Sequence, residues 1–331
     1  MKDERGIKVT NKDLMKAVVI YEPGGPERLC LEARPIPSVK SGWSLVKVKG
    51  FGINHSEIFT RQGLSPSVRF PRILGIECVG TVEKTTTAAL KEGQRVVSIM
   101  GEMGRAFDGS YAEYVLLPNE QIFPVETTLS WPDLAAVPET YYTAFGAYKT
   151  LKIGTGDSIL VRGASSGVGT AFLKLLKAEF PGASVTGSVR SLSKKKDLLA
   201  LGYDHVVEDR GNCLVTSGSF TKVLELVGPA SVRDSLRHMP SGGILCVVGL
   251  LGGKWFLEDF NPIDELENNV YMTAFHSARV SREKMDELFR YIDARHINIH
   301  PDKIFSLDDI VRAHQYLENT GGYGKVVVVN P

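Results

Sequence analysis

The sequence predicts an α/β protein that combines a β-rich, barrel-like part with a doubly wound parallel sheet. Short strand-like runs separated by glycine and proline fill the segment from Leu29 to about Phe123, which is typical of a β-barrel. Further along, an apolar run ending at Arg162 leads into a turn of small residues and then a helical pattern, as the first unit of a parallel sheet does. The chain has 331 residues, 43% of them hydrophobic, and is therefore long enough to bury two cores.

The predicted elements follow a simple order along the chain. Residues 1–14 are polar and without pattern, so we expect a flexible tail before the first strand begins at Met15. Further strands are predicted at 44–49, 94–99, 160–162, 183–189, 223–227, 243–249 and 325–329. Helices are predicted at 133–136, 141–151, 282–295 and 307–317, besides one that begins near Val168. Helices and strands alternate as far as about Gly253, which favours a parallel sheet there.

Composition narrows the possible functions. With 39 basic and 38 acidic residues the formal net charge is +1, so no general attraction for nucleic acid is expected. No apolar run is long enough to span a membrane, and the N-terminus lacks the apolar core of a signal peptide, so no membrane association is expected. The four cysteines are scattered, mostly in apolar segments, which favours free thiols and a cytoplasmic protein.

The small-residue turn predicts a dinucleotide site. Its residues are Ala164, Ser165, Ser166, Gly167, Val168 and Gly169. Small residues allow a tight turn and a close approach of a pyrophosphate, and the helix that follows directs its free N–H groups at the phosphates. The pattern is Ala-x-x-Gly-x-x-Gly rather than Gly-x-Gly-x-x-Gly, so an ordinary strand-to-helix turn is the alternative.

The end of the next strand predicts NADPH as the cofactor. This strand includes Ser188, and Arg190 and Lys194 follow it where NAD-dependent proteins place an acidic residue. No carboxylate appears before Asp197. A guanidinium and an ammonium group suit the 2′-phosphate of NADPH. The alternative is a basic helix start that faces only water.

Several motifs occur in a fixed order along the chain. They are Met15-Lys16-Ala17, Tyr21-Glu22-Pro23-Gly24-Gly25, Gly52-Ile53-Asn54, Gly75-Ile76-Glu77-Cys78-Val79-Gly80, Gly109-Ser110-Tyr111-Ala112-Glu113-Tyr114, Thr143-Ala144-Phe145, the turn 164–169 and Gly324-Lys325-Val326-Val327. In these motifs the chain resembles the medium-chain dehydrogenase/reductase superfamily, and within it the zinc-independent quinone oxidoreductase (zeta-crystallin-like) branch. The resemblance covers 15–331.

The resemblance implies a two-domain layout. A GroES-like β-barrel catalytic domain is expected at 15–137 and 269–331, and a Rossmann domain that binds NADPH is expected at 138–268. The active site is then expected in the cleft between them. Members of the family tend to form dimers through extension of the Rossmann sheet, so a homodimer is expected.

The resemblance also predicts that no metal is bound. Zinc-dependent alcohol dehydrogenases of the superfamily have a cysteine where this chain has Asn54 and a histidine where it has Ile76. Zinc needs about three protein ligands, and isoleucine has no electron pair to offer. Glu77 and His55 remain nearby and are interpreted as structural, with the carboxylate paired to backbone or arginine.

Without a Lewis acid, the chemistry depends on placing the nicotinamide against an acceptor that takes hydride readily. Quinones and α,β-unsaturated carbonyls delocalise the developing charge, so a hydrogen bond can suffice. The family often has an orienting or proton-donating tyrosine where this chain has Phe59. Asn54 is therefore the predicted catalytic contact to the substrate oxygen, with Phe59, Ile76 and Tyr142 as substrate-pocket residues. The alternative is that Asn54 caps a helix beginning at Ser56.

Further cofactor contacts carry over from the family by position. They are Thr143, Leu226, Val248, Gly249, Phe275, Ser277 and Lys325. Thr143 is expected beneath the nicotinamide amide. The alternatives are that Phe275 is a core residue and that Gly249 only ends a strand.

These observations together predict an NADPH-dependent oxidoreductase that transfers hydride to a small-molecule acceptor, either a quinone or an activated alkene such as a 2-alkenal or enone. An enoyl-thioester reductase of the same superfamily is the close alternative, although no basic patch for a coenzyme A phosphate or a carrier is evident. A protein of another class, an NADPH sensor or a structural protein, is the third possibility.

Overall fold

The computed structural model describes residues 13–266, 269–319 and 322–331. Residues 1–12, which make up most of the predicted tail, lie outside the described residues. The first strand begins at Leu14, one residue before the predicted start, because Leu14 pairs with Pro35 of the next strand. None of the helices in the described part of the chain has the length and apolar character needed to cross a membrane.

The N-terminal half is mostly β structure. Its strands are β1 (Leu14–Ile20), β2 (Cys30–Pro35), β3 (Trp43–Gly52), β4 (Arg72–Ile73), β5 (Glu77–Lys84), β6 (Arg95–Ile99), β7 (Tyr114–Pro118) and β8 (Phe123–Pro124). Its helices are α1 (His55–Arg61), α2 (Trp131–Ala135) and α3 (Pro138–Leu151). Short 3₁₀ turns lie at Pro26–Arg28 and Asn119–Gln121. β1 pairs with β2 and β4, and β3 pairs with both β5 and β7, all in antiparallel register.

The middle of the chain forms a parallel sheet with helices. Its strands are β9 (Ser158–Arg162), β10 (Ser184–Val189), β11 (His205–Arg210), β12 (Cys213–Leu214), β13 (Lys222–Glu225), β14 (Ile244–Val247) and β15 (Tyr271–Ala274). Its helices are α4 (Gly167–Glu179), α5 (Lys195–Leu201), α6 (Val232–Arg237) and α7 (Pro262–Glu265), with a 3₁₀ turn at Leu192–Lys194. The strand order is β12-β11-β10-β9-β13-β14-β15, and every pair except β11–β12 is parallel.

This strand order is that of a Rossmann sheet, in which the order reverses beside the first strand and ligands bind at the carboxyl ends of the strands there. Here the reversal lies between β9 and β13. Both strands are almost wholly buried, as expected where helices cover both faces of a parallel sheet. The turn at 164–169 follows β9 directly, so it lies at this reversal point.

The C-terminal segment returns to the barrel. It contains α8 (Arg282–Ala294), β16 (Lys303–Ser306), a 3₁₀ turn (Leu307–Asp309), α9 (Ile310–Asn319) and β17 (Val326–Val329). β17 pairs with β16 and, in antiparallel register, with β3. The predicted fold, a GroES-like barrel domain combined with a Rossmann domain, is confirmed.

The end of the Rossmann sheet differs from the predicted boundary at residue 269. β15 lies beyond that boundary, yet Tyr271 to Ala274 pair with Ile244 to Val247 of β14 as the last strand of the Rossmann sheet. β15 is assigned to the Rossmann sheet because it pairs with β14. The sequence of a short strand does not show which strand it pairs with.

The two parts share an apolar core. One continuous cluster of buried side chains includes Val79 and Val97 of the barrel together with Ile159 and Phe172 of the Rossmann part. The barrel and the Rossmann part are therefore packed against each other. Of the four cysteines, Cys78 and Cys246 are buried free thiols, whereas Cys30 and Cys213 are exposed.

Candidate active site

The turn after β9 has a geometry that favours bound phosphate. Ser166 is the N-cap of α4, and its Oγ accepts a hydrogen bond from the backbone N–H of Gly169 at 3.1 Å. The remaining N–H groups of the first helical turn have no intrahelical acceptor. Gly163 adopts a φ of +85°, and a Cβ at Gly169 would lie 2.9 Å from the carbonyl oxygens of Gly163 and Ala164. The turn therefore requires glycine at both positions.

Two buried side chains form hydrogen bonds with the backbone of this turn. Ser188 is buried at the end of β10, and its Oγ accepts a hydrogen bond from the N–H of Gly163 at 3.2 Å. The buried hydroxyl of Tyr203 lies 3.0 Å and 3.2 Å from the carbonyl oxygens of Ala164 and Gly169. Ser188 thus supports the turn by bonding to the backbone of the turn.

The outer side of the turn faces the C-terminal segment. Ser165, Ser166, Gly167 and Val168 are all partly exposed there. A Cβ on Gly167 would lie 3.5 Å from the carbonyl oxygen of Gly324, just before β17. The start of α4 therefore packs close to the segment that leads to Lys325.

The predicted cations lie at the end of β10. Arg190 is exposed, and the Lys194 ammonium lies 5.1 Å from the ring centre of Tyr323. Burial and then the charge of Arg190 lower the pKa of Lys194. Asp197 accepts a hydrogen bond from the Tyr323 hydroxyl at 2.6 Å. Burial, and then the charges of Lys325 and Arg190, lower the pKa of His55.

Asn54 lies at the centre of a polar network on the cleft floor. Its Nδ2 donates a hydrogen bond to Glu77 Oε1 at 2.9 Å, and its Oδ1 accepts one from the ammonium of Lys325. Lys325 Nζ is also 2.7 Å from Glu77 Oε1, with both side chains buried. The other Glu77 oxygen accepts the backbone N–H of Glu139 at 2.8 Å. Glu77 is therefore a structural carboxylate, paired with backbone as predicted and with lysine instead of arginine.

The alternative role of Asn54 as a helix cap is only partly realised. Asn54 occupies the N-cap position of α1, which begins at His55, but its side chain makes no capping hydrogen bond. The amide is committed to Glu77 and Lys325. A second glutamate, Glu57, points into the same network, with its Oε1 3.4 Å from Asn54 Nδ2.

Glu139 joins two predicted cofactor residues. Its Oε1 accepts hydrogen bonds from Ser277 Oγ at 2.7 Å and from Thr143 Oγ1 at 3.2 Å. Burial raises the pKa of Glu139 to about 7, although these two hydroxyls and the charge of Lys325 act in the opposite direction. The predicted residues Thr143 and Ser277 are therefore brought together by a carboxyl group that the sequence analysis did not single out.

The predicted pocket residues have different surroundings. Phe59 is partly buried, and its ring centre is 5.5 Å from that of Trp255, on the loop after β14. Ile76 is 4% exposed and belongs to the shared core cluster. The hydroxyl of Tyr142 donates to the carbonyl of Arg279 and accepts from the N–H of Ser281, both at 3.2 Å. Those contacts bond the hydroxyl to the backbone just before α8.

The remaining predicted contacts belong partly to the core. Leu226 is 2% exposed, whereas Val248 and Gly249 are partly exposed at the end of β14. A Cβ on Gly249 would lie 2.2 Å from the Leu226 carbonyl oxygen, so glycine is needed there for close strand packing. A Cβ on Gly146 would lie 2.1 Å from the Phe275 ring, so this partly buried ring packs against α3 at the edge of the shared core cluster.

Among the described residues, no three histidine, cysteine or acidic side chains are grouped closely enough to hold a metal ion. The cation beside Glu77 is the ammonium of Lys325. An asparagine amide already bonded to Glu77 and an isoleucine do not make a zinc donor set.

Several residues of this site carry no local signal in the sequence. Glu139 follows Pro138 at the start of α3, where an acidic residue is favoured by the helix dipole and so attracts no attention. Trp255 and Tyr323 come from loops whose position depends on the tertiary fold. Tyr203 follows α5 and is far in sequence from the turn that it supports.

Comparison with known proteins gives the family. Residues 40–127 match the model of the alcohol dehydrogenase GroES-like domain, and residues 201–328 match the model of a zinc-binding dehydrogenase. A quinone oxidoreductase from Rattus norvegicus is 26% identical over 337 residues, which cover 97% of this chain and 99% of the relative. A quinone oxidoreductase from Homo sapiens is 26% identical, with the same coverage.

Solved structures agree with this result. A mycobacterial protein in complex with NADPH superposes with a TM-score of 0.80 at 26% identity, over 96% of this chain and 100% of its own. A quinone oxidoreductase from Coxiella burnetii superposes with a TM-score of 0.82 at 23% identity, over the same shares, and supports the fold. The chain thus belongs to the medium-chain dehydrogenase/reductase superfamily of oxidoreductases, in its quinone oxidoreductase-like branch.

Proposed function

We propose that this protein is an NADPH-dependent, zinc-independent oxidoreductase that reduces quinones or activated alkenes such as 2-alkenals and enones. The observation that carries the proposal is the pair of cations, Arg190 and Lys194, beside the glycine-containing turn at the reversal point of the sheet. The residues of the turn fit a dinucleotide pyrophosphate, because Gly163 and Gly169 leave the backbone open and α4 presents unpaired N–H groups.

The choice of NADPH rests on charge. An NAD site needs a carboxylate for the 2′-hydroxyl of the adenosine ribose. Here Arg190 and Lys194 occupy the end of β10, and Asp197 is bonded to Tyr323. A guanidinium can hold the 2′-phosphate through two charge-assisted hydrogen bonds, and the ammonium adds a point charge. The mycobacterial relative solved with NADPH supports this choice.

The choice of acceptor rests on the polar groups of the cleft floor. The Asn54 amide and the Lys325 ammonium, which bond to each other and to Glu77, are the polar groups that we propose for orienting a substrate oxygen, and the partly buried Phe59 provides apolar surface. This set does not match the donors of a zinc site, so a carbonyl would not be strongly polarised. Conjugated acceptors spread the developing charge and need less polarisation. The curated relatives named quinone oxidoreductases support this class.

We also propose that the protein is a homodimer through β15. This strand ends the Rossmann sheet, and Tyr271 on it is 61% exposed. An unpaired edge strand is a template for pairing with a second copy. Light scattering at several protein concentrations measures the mass. A mass of one chain at all concentrations would overturn this assignment.

The function is tested by steady-state oxidation of NADPH and of NADH with an ortho-quinone, a para-quinone, an enal and a saturated ketone. We expect turnover with the conjugated acceptors, a preference for NADPH and negligible turnover with the ketone. Faster reduction of the ketone would contradict the proposed mechanism. Tight NADPH binding without turnover of any acceptor would favour a sensor instead.

A further inference from the structure

Three carboxyl groups share one ammonium on the floor of the cleft. Lys325 Nζ is 2.7 Å from Glu77 Oε1, and Glu77 accepts further hydrogen bonds from the Asn54 amide and from the backbone N–H of Glu139. A Cβ on Gly52 would lie 2.0 Å from Lys325 Cε, so glycine there makes room for the lysine. These contacts satisfy Glu77 as a carboxylate and leave Glu57 and Glu139 without a cation of their own.

The two other carboxyl groups are not paired in the same way. The Oε2 oxygens of Glu57 and Glu139 are buried and have no hydrogen-bond partner within the described residues. An ionised carboxylate that is removed from water and left unpaired costs several kcal/mol, so such a group takes up a proton instead. Burial, with the nearby charge of Glu77, raises the pKa of Glu57 to about 7, and the same two causes raise that of Glu139 to about 7.

Only one of these two acids has a contact that can pass a proton on. The described partners of Glu57 Oε1 are N–H donors, the Asn54 amide and the backbone of Ile76. Glu139 Oε1 instead lies 2.7 Å from Ser277 Oγ and 3.2 Å from Thr143 Oγ1. A hydroxyl both donates and accepts, so it can give up its own proton and take another.

We propose that Glu139 is the proton source of this active site and delivers its proton through the hydroxyl of Ser277 or Thr143. The proposal rests on the proposed function and assigns a donor where Phe59 replaces the phenol of the family. The acceptor gains a hydride, with its two electrons, from NADPH. Its oxygen gains a proton as the hydroxyl O–H bond breaks. The hydroxyl oxygen takes the Glu139 proton, and the resulting carboxylate is reprotonated by water before the next turnover.

Charged and titratable groups from several elements surround Glu139. Glu77 on β5 and Lys325 before β17 face it from the catalytic domain, and Tyr142 lies beside it on α3. Glu57 on α1 acts on the same group through its interaction with Glu77 and Lys325. An increase in pH through about 7 is therefore expected to remove the proton that the proposal requires.

The proton is detected first in the protein alone. Infrared spectra are recorded between about pH 5 and about pH 9, across the range in which a raised carboxyl titrates. We expect carbonyl bands of protonated carboxyl groups that disappear near neutral pH, one of them absent from Glu139→Gln and another absent from Glu57→Gln. A Glu139→Gln spectrum identical to that of the wild type at every pH would overturn the proposal.

Kinetics then separates proton delivery from structure. With a quinone or an enal as acceptor, Glu139→Gln is expected to lower kcat roughly a hundredfold, the usual contribution of a general acid, and to change the Kd of NADPH little. The wild-type fall of kcat above neutral pH and its solvent isotope effect should both disappear. Glu57→Gln removes a similar carboxyl without a hydroxyl partner and should keep that pH dependence. Glu139→Asp, which restores a carboxyl, should recover part of the rate.

A second variant tests delivery if Glu139→Gln does not fold. The double variant Ser277→Ala/Thr143→Val keeps the acid and removes both hydroxyls, so the infrared band should persist while kcat falls at NADPH concentrations that saturate the variant. Unchanged kcat in this variant, or an unchanged pH profile in Glu139→Gln, would overturn the proposal. A wild type that turns over no acceptor would overturn the proposed function and the delivery step, whereas a missing infrared band beside normal turnover would overturn the proton source alone.

Discussion

Replacement of Arg190 by alanine tests the origin of cofactor choice. Arg190 is exposed at the end of β10; burial and then its charge lower the pKa of Lys194, and burial, Lys325 and then Arg190 lower that of His55. Two neighbouring cations attract an anion, and the 2′-phosphate is the group that distinguishes NADPH from NADH. The substitution should therefore weaken NADPH and leave NADH nearly unchanged.

The size of the loss follows from the contact. A hydrogen bond to a charged group contributes about 1.5–3 kcal/mol. Solvent and salt screen an exposed contact such as that of Arg190 with the 2′-phosphate, so its contribution is expected toward the lower end of this energy range. Because ~1.4 kcal/mol corresponds to a factor of ten in affinity, the Kd for NADPH should rise between about tenfold and a hundredfold. Lys194 remains in place, so binding should not be abolished.

The assay is calorimetric titration of the wild type and Arg190→Ala with NADPH and with NADH. Arg312→Ala is the matched control, because Arg312 is an exposed arginine on α9 that pairs only with Asp309 among its described contacts. NMR titration adds an independent measurement, since the loss of a nearby positive charge should raise the pKa of His55. Equal weakening of both cofactors, or a wild type that prefers NADH, would refute the reasoning.

Three further predictions follow from the cleft. Dialysis against a strong chelator should leave activity unchanged, and elemental analysis should find well under one zinc per chain. Stoichiometric zinc with activity that depends on it would contradict this. Asn54→Ala should lower kcat more than it weakens NADPH binding, because the amide joins Lys325 to Glu77 on the cleft floor; comparable losses in both would count against a role in the reaction. Glu57→Gln should flatten the dependence of unfolding free energy on pH. The pKa of Glu57 is raised from 4.5 to about 7 in the folded state, so its contribution is complete below pH 4.5 and is lost as pH rises through about 7. Urea denaturation should show that the wild type loses about 3 kcal/mol more than the variant across this range, and parallel curves would show that Glu57 is ionised.

Local patterns were sufficient for the cofactor turn. The glycines at 167 and 169 and the small residues around them determine a strand, a turn and a helix within a dozen residues, and those elements occur where they were predicted. The basic residues Arg190 and Lys194, which follow β10, are also a local signal in the sequence. These features depend on backbone conformation and on burial of single strands, both of which leave a short-range pattern in sequence.

Contacts between distant segments could not be predicted in the same way. Lys325 meets Asn54 across 271 positions, and Ser277 meets Glu139 across 138. Tyr142 was predicted as a substrate-pocket residue. Its hydroxyl forms hydrogen bonds with backbone groups at 279 and 281, and the sequence of α3 does not indicate these bonds. β15 illustrates the same limit, because its exposed residues resemble a loop until they pair with β14.

The most direct measurement of the central claim is transfer of deuterium. NADPH deuterated at the reacting carbon of the nicotinamide is incubated with the protein and an enone, and the product is analysed by mass spectrometry and NMR. The account predicts one deuterium on the carbon β to the carbonyl and one solvent-derived hydrogen on the α carbon, because the enol formed by protonation of the oxygen loses its O–H proton and takes a solvent proton at the α carbon as it becomes the ketone. Recovery of the enone without deuterium, under conditions in which the protein binds NADPH, would contradict it.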